Sequence, residues 1–250
     1  MKNQLPNALT LVNLFCGCCG IICCLYNEYY LVPVFMGSAL LADFLDGFLA
    51  RALNAKSDIG GQLDSLADMV TFGVLPGVML FMMMFIDNRF ASEMQYTFNR
   101  NMGNSEVLFP ALCLSAFIYT LFACIRLAKF NIDERQTENF IGMPTPAGAM
   151  FVLGLYLNLF LVDFLMTPVY TSAYLLIITF VLSFLMVVEI PMFSLKFNSY
   201  ALKDNKVRYF FLLLILPQPF IFKWLSLSTI IMTYVALSLW VWIKSKIGYR

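Results

Sequence analysis

Eight stretches of the chain are apolar for long enough to cross, or nearly cross, a bilayer. They are approximately Ala8–Leu25, Leu31–Arg51, Leu63–Ile86, Val107–Phe130, Ala147–Leu165, Thr171–Glu189, Val207–Phe222 and Ser226–Ile243. A spanning helix needs about 20 predominantly apolar residues. The last two runs are short, and Pro217 and Pro219 interrupt the seventh, so the expected number of full spans lies between six and eight. The longest polar connection is Asp87–Glu106. No internal repeat or low-complexity linker divides the sequence. The pattern predicts an all-α polytopic membrane helix bundle of about eight transmembrane helices, one domain over residues 1–250.

Composition strengthens this. Hydrophobic residues make up 61% of the chain and charged residues 12%, against about 45–50% and about 25% in soluble domains. The basic residues add sidedness. With eight spans, thirteen of the sixteen lysines and arginines fall on the side holding both termini, and only Arg89, Arg100 and Lys223 fall on the other. The positive-inside rule then places both termini in the cytoplasm. Lys2 is the single basic residue before the first run, and no small-residue cleavage site follows that run, so a retained first span is expected. A net charge of +1 gives no reason to expect a nucleic-acid partner. Five of seven cysteines crowd into the first run. Cys16 and Cys19 have C-x-x-C spacing without a second ligand pair, which reads as small packing residues rather than a zinc or redox site.

Chemistry is sought where polar residues interrupt apolar runs, because an Asp at a helix centre costs about 2.5–3.5 kcal/mol on insertion scales. Asp43, Asp46, Gly47 and Ala50 stand at i, i+3, i+4 and i+7, one face of a helix. Gly60, Asp64 and Asp68 are spaced by four, again one face. A short connection makes the two helices antiparallel neighbours, so four carboxylates can converge at one depth. Four unpaired anions repel one another, and two divalent cations would neutralise them. The chain has no histidine. Hard oxygen ligands without histidine or thiolate select Mg²⁺ or Mn²⁺, and a two-metal site suits phosphoryl chemistry. On the residues alone, paired acids equally suit the ion pathway of a transporter, and the small residues equally suit close helix packing.

From Asp43 the sequence reads D-F-L-D-G-F-L-A-R, then eight residues, then G-G-Q-L-D-S-L-A-D. This resembles the CDP-alcohol phosphatidyltransferase motif D-x-x-D-G-x-x-A-R-x8-G-x3-D-x3-D. All eight positions are filled, by Asp43, Asp46, Gly47, Ala50, Arg51, Gly60, Asp64 and Asp68. The resemblance implies a metal-dependent, membrane-embedded and often homodimeric enzyme. It implies that Asp43, Asp46, Asp64 and Asp68 surround two ions, Mg²⁺ or Mn²⁺, that Gly47, Ala50, Arg51 and Gly60 hold CDP-diacylglycerol, and that Asp68 is the general base. The segments L-P-N-A-L-T-L-V-N-L-F-C-G, L-D-S-L-A-D-M-V-T-F-G, C-I-R-L-A-K-F-N, F-I-G-M-P-T-P-A-G-A and I-P-M-F-S-L-K resemble the subgroup of that family that makes phosphatidylserine, which implies L-serine as acceptor. Related enzymes that use glycerol 3-phosphate tend to carry arginine near the place of Asn13. That acceptor or an inositol phosphate is the nearest alternative, and an ion-coupled transporter is the alternative of another class.

Arg126, inside the fourth run, needs an anionic partner, either a substrate phosphate or carboxylate or a motif aspartate. With Lys129 and Asn131 it forms the expected acceptor-binding group. The subgroup often has arginine in place of Lys129, which keeps the charge but lacks the planar fork. Thr10, Asn13 and Gly17 share one face of the first helix, where Thr10 and Asn13 either line the CDP-diacylglycerol site or bond between helices. Pro144 and Pro146 mark the start of the fifth helix. Lys196, Lys203, Lys206 and Arg208 read as a topology signal with attraction to anionic headgroups. The charge asymmetry predicts that cysteines introduced as Ser199→Cys and Asn99→Cys into a cysteine-free variant react with impermeant reagent from opposite faces, Ser199→Cys from the cytoplasm. Labelling of both from one side contradicts the eight-span arrangement.

Overall fold

The computed structural model describes residues 4–55, 57–86, 111–133, 140–161, 172–193 and 205–247. The Asp87–Glu106 connection, residues Lys2, Lys56, Arg135, Lys196, Lys203 and Arg250, and the labelling positions Asn99 and Ser199 lie outside them. Among the described residues, each of the eight apolar runs contains helix. The order is α1 (Gln4–Leu25), α2 (Leu31–Ala52), α3 (Asp58–Ile86), α4 (Ile118–Ile132), α5 (Thr145–Leu161), α6 (Ser172–Val187), α7 (Lys206–Ile215), α8 (Gln218–Phe222) and α9 (Ser226–Ile247). By length and composition α1, α2, α3, Ser115–Ile132 and the stretch Lys206–Lys246 suffice to cross a membrane, while α5 and α6 are shorter apolar helices. That last stretch is broken after Ile215 and again at Lys223, whose φ is +48°, so α7–α8 and α9 are the seventh and eighth runs. The protein is a polytopic helical membrane protein. Among the described residues, one pairing departs from the all-helical expectation: Phe140–Ile141 (β1) pairs antiparallel with Pro191–Met192 (β2), Ile141 opposite Pro191.

Two helices form the centre. Phe72, Leu75, Met79, Leu80, Met83 and Met84 of α3 are buried, as are Val152, Leu153, Leu155, Tyr156 and Leu157 of α5. Phe15, Leu41, Phe44, Leu121, Phe184 and Leu213 on the surrounding helices stay exposed, the arrangement expected where hydrocarbon is the solvent. Helices approach closely where glycine stands. A Cβ on Gly17 would collide with Thr71 Oγ1, and one on Gly77 with Thr120 Oγ1, so α3 lies backbone-close to both α1 and α4.

The middle of α3 is not α-helical. Met69–Val74 forms a π-helical stretch that begins directly after Asp68. Widening the helix frees backbone acceptors, and the neighbour takes them up: Tyr119 Oη donates to Phe72 O at 3.3 Å and Thr120 Oγ1 to Gly73 O at 3.0 Å. From α3 itself, Thr71 Oγ1 donates to Asn13 O at 3.2 Å. The segment after Asp68 is thereby fixed from two sides.

Candidate active site in the membrane

The turn between α2 and α3 sets the two motif halves side by side. Asn54 takes a left-handed φ of +49°, and Ala55 N donates back to Ala50 O at 2.9 Å, which closes the C-terminus of α2. Ser57 then caps α3, its hydroxyl oxygen accepting from Gly60 N at 3.1 Å, and Asp58 complements the helix dipole in the first turn. Helix α1 lies against both partners and brings Thr10 and Asn13 to the motif.

Three of the four expected carboxylates come together. Asp43, Asp64 and Asp68 each offer an oxygen within 4.8 Å of the others. Asp46 lies beside that group, outside the 4.8 Å set: it is 6% exposed, and Thr10 Oγ1 donates to its Oδ2 at 2.5 Å. The same hydroxyl lies 3.1 Å from Pro6 O, but it has one proton, and the charged acceptor is the stronger partner. Asn13 Nδ2 donates to Asp68 Oδ1 at 3.2 Å. Thus the α1 face foreseen as either nucleotide lining or interhelical bonding bonds directly to two motif aspartates.

The donors run out before the acceptors do. Asp64 Oδ1 is buried with no hydrogen-bond partner, and such a group is costly to leave unmade. An orphaned carboxylate oxygen beside two more carboxylates, all hard oxygen donors, fits a divalent cation of the Mg²⁺ or Mn²⁺ type. No cysteine belongs to the cluster, and Cys16 and Cys24 are buried within the packing of α1.

Beside the cluster lies a cavity of about 240 Å³, into which Asp46 and Asp64 both face. Its walls explain the small motif residues. Gly47 and Ala50 line it, and a Cβ on Gly47 would meet nothing within 4 Å, so the glycine leaves the space open. A Cβ on Gly60 would come within 3.0 Å of Ser57 Oγ and 3.1 Å of Asn7 Oδ1. Pro6, Asn7, Ala55, Ser57 and Gly61 also line the cavity. None of these five was foreseen from the motif, although Pro6 and Asn7 fall within the quoted L-P-N-A-L-T segment. Arg51 is exposed at the end of α2 and is not among the cavity's lining residues.

The residues expected to hold the acceptor divide between two places. Arg126 is 4% exposed and with Lys129 lines a second cavity, of about 310 Å³. Arg126 also stacks its guanidinium over Phe130, 5.3 Å from the ring centroid. Asn131 is turned elsewhere, its Oδ1 accepting from Ser65 Oγ at 2.9 Å. That bond ties the end of α4 to α3 one residue from Asp64.

This geometry can now be set against known proteins. The family model described as CDP-alcohol phosphatidyltransferase matches residues 3–185. The chain belongs to the CDP-alcohol phosphatidyltransferase family. Among curated relatives, the CDP-diacylglycerol–serine O-phosphatidyltransferase of Bacillus subtilis is 36% identical over 148 residues, 59% of this chain and 72% of the relative. Proteins of the same name from Mycobacterium leprae and Methanocaldococcus jannaschii are 33% and 32% identical, over 60% and 58% of this chain. Those two alignments span about half the relatives' own length, 46% and 57%. The matched region contains all the motif aspartates, α1 and the Arg126–Asn131 segment.

The orphaned oxygen generates a prediction. Asp43→Asn and Asp64→Asn each weaken Mg²⁺ or Mn²⁺ binding, measured by calorimetry on detergent-solubilised protein, by more than the roughly 10–100-fold typical of an outer-shell substitution. Asp68→Asn, at the position expected as the general base, should retain CDP-diacylglycerol binding at saturating metal and lower turnover by about 10²–10⁴-fold, the usual worth of such a group. Unchanged metal affinity in both of the first two variants contradicts the site.

Proposed function

We propose that the protein transfers the phosphatidyl group of CDP-diacylglycerol to L-serine, giving phosphatidylserine and CMP, with two bound Mg²⁺ or Mn²⁺ ions. The observation that carries this reading is the partnerless Asp64 oxygen within the Asp43–Asp64–Asp68 cluster, at the wall of a glycine-floored cavity. Serine as acceptor is supported by the names of the relatives and by the two cations of the second cavity. A homodimer and an active site facing the cytoplasm belong to the same proposal. They rest on the resemblance and on the asymmetry of basic residues.

Asp43, Asp46, Asp64 and Asp68 would hold the cations, which supply charge neutralisation to a pyrophosphate and its leaving oxygen. The chain's own residues do the rest. Asp68 takes the proton of the serine hydroxyl; Asn13 holds one of its oxygens, leaving the other to face the acceptor. The hydroxyl oxygen attacks the phosphorus that bears diacylglycerol, the bond from that phosphorus to the bridging oxygen breaks, and CMP leaves with that oxygen. Gly47, Ala50 and Gly60 leave room for the nucleotide beside the backbone, and Thr10 keeps Asp46 oriented towards it. Arg51, at the end of α2, is placed to meet phosphate from the aqueous side. Arg126 and Lys129 receive the serine carboxylate. The acyl chains remain in lipid, whereas serine and CMP exchange with water.

Purified protein in mixed micelles, given CDP-diacylglycerol and metal, should release CMP with serine. It should release little with glycerol 3-phosphate or an inositol phosphate, and very little with ethanolamine, which lacks the carboxylate that Arg126 and Lys129 would receive. Faster turnover with a phosphorylated acceptor refutes serine. Absence of CMP with every acceptor refutes the transferase reading.

A further inference from the structure

The cavity that holds Arg126 and Lys129 is balanced in charge. Its other lining residues include Asp133 and Glu189, so two cations face two carboxylates. They come from different walls. Arg126 and Lys129 stand one turn apart at the end of α4 and Asp133 is the extended residue that follows it, while Glu189 comes from the connection between α6 and β2. Arg126 is buried at the base; Lys129 and Glu189 are exposed at the mouth.

The backbone holds the Glu189 wall in place. Gly142 N donates to Ile190 O at 2.9 Å, Ile190 N to Val188 O at 2.9 Å, and Met143 N to Leu185 O at 2.8 Å. Gly142 adopts a φ of +75°, and a Cβ there would meet Met186 O at 2.6 Å and Val188 O at 3.0 Å, so only glycine permits this approach. The β1–β2 pairing follows immediately. Glu189 therefore sits between two residues, Val188 and Ile190, whose carbonyls are already engaged or tightly packed.

We propose that Glu189 selects a zwitterionic acceptor, receiving its ammonium group across the cavity from Arg126 and Lys129, which receive its carboxylate. This rests on the serine reading and deepens it. The amide oxygen of Asn131, the other candidate for the ammonium, accepts from Ser65, and Asn131 is not among the residues lining this cavity. Asp133 follows directly on the helix that carries the two cations, whereas Glu189 reaches the same cavity from a separate segment, and charges of both signs on separate segments are what a molecule with separated charges needs. The same carboxylate works against a phosphorylated alcohol, whose dianion would face Glu189 and Asp133 together with the two cations; discrimination then comes from repulsion as well as attraction.

The test compares kcat/KM for serine with that for 3-hydroxypropanoate, which keeps the hydroxyl and the carboxylate and lacks the ammonium. Both are read as CMP release from the same protein preparation, so the folded fraction cancels. Wild type prefers serine. Glu189→Gln should reduce that preference by about tenfold, the worth of a hydrogen bond to a charged group, through the KM for serine, with the KM for CDP-diacylglycerol unchanged. Glu189→Asp, which keeps the charge, should retain most of the preference. An unchanged ratio in Glu189→Gln overturns the proposal, as does a parallel loss with both acceptors. Wild-type protein that uses no serine at all overturns instead the function on which the proposal rests.

Discussion

Carboxylates gathered inside an apolar bundle repel one another more strongly than they would in water, because little solvent is present to screen them. The rest of this structure is arranged around that repulsion. Asp43 and Asp64 come from helices joined by a five-residue turn, and Asp68 follows one helical turn later, so the chain has little freedom to spread them. Among the described residues, what the protein supplies in compensation is small: one hydroxyl from Thr10, one amide from Asn13 and the backbone N–H of Gly47. These serve Asp46 and Asp68, and leave an oxygen of Asp64 with none. The deficit is the structural reason to expect cations. It also explains why α1 lies against both motif helices, since it carries both side-chain donors.

Holding such a cluster demands rigidity in the helix that bears two of its members. Helix α3 gains it in an unusual way, by widening into a π-helical stretch immediately after Asp68 and giving its displaced carbonyls to Tyr119 and Thr120 of α4. Thr71, on that stretch, bonds to the backbone of Asn13, the residue that bonds to Asp68. Position is thus passed from α4 through α3 to α1 and back to the carboxylate. The close approaches at Gly17 and Gly77 are the packing that makes these bonds possible.

Much of this was legible in the residue pattern, for a definable reason. Eight apolar runs became helix because a bilayer leaves few other ways to satisfy the backbone. The aspartates were placed correctly on faces because spacings of three and four have one meaning on a helix. Periodicity was silent on what depends on side-chain partners. It could not separate Asp46, held by Thr10, from the other three, nor show that Asn131 turns to Ser65 while Arg126 and Lys129 line a cavity. The π-helical stretch left no compositional trace in M-V-T-F-G-V. Glu189 was missed for a different reason: it lies outside any regular helix, more than fifty residues from Arg126, and the packing of α6 on α4 together with the β1–β2 pairing brings its segment to that wall. A carboxylate beside I-P-M-F at a helix end was the one available signal, and it resembles any helix terminus at a membrane surface.

The proposed chemistry requires that Asp43, Asp46, Asp64 and Asp68 hold two cations together. Electron paramagnetic resonance of the Mn²⁺-loaded protein, with CDP-diacylglycerol bound, addresses that claim without relying on turnover. Two ions sharing carboxylates should give the spectrum of an exchange-coupled pair in the wild type, reduced in Asp64→Asn to the six-line signal of a single ion. A wild-type spectrum showing only isolated Mn²⁺, or none bound above the background of the micelles, contradicts it.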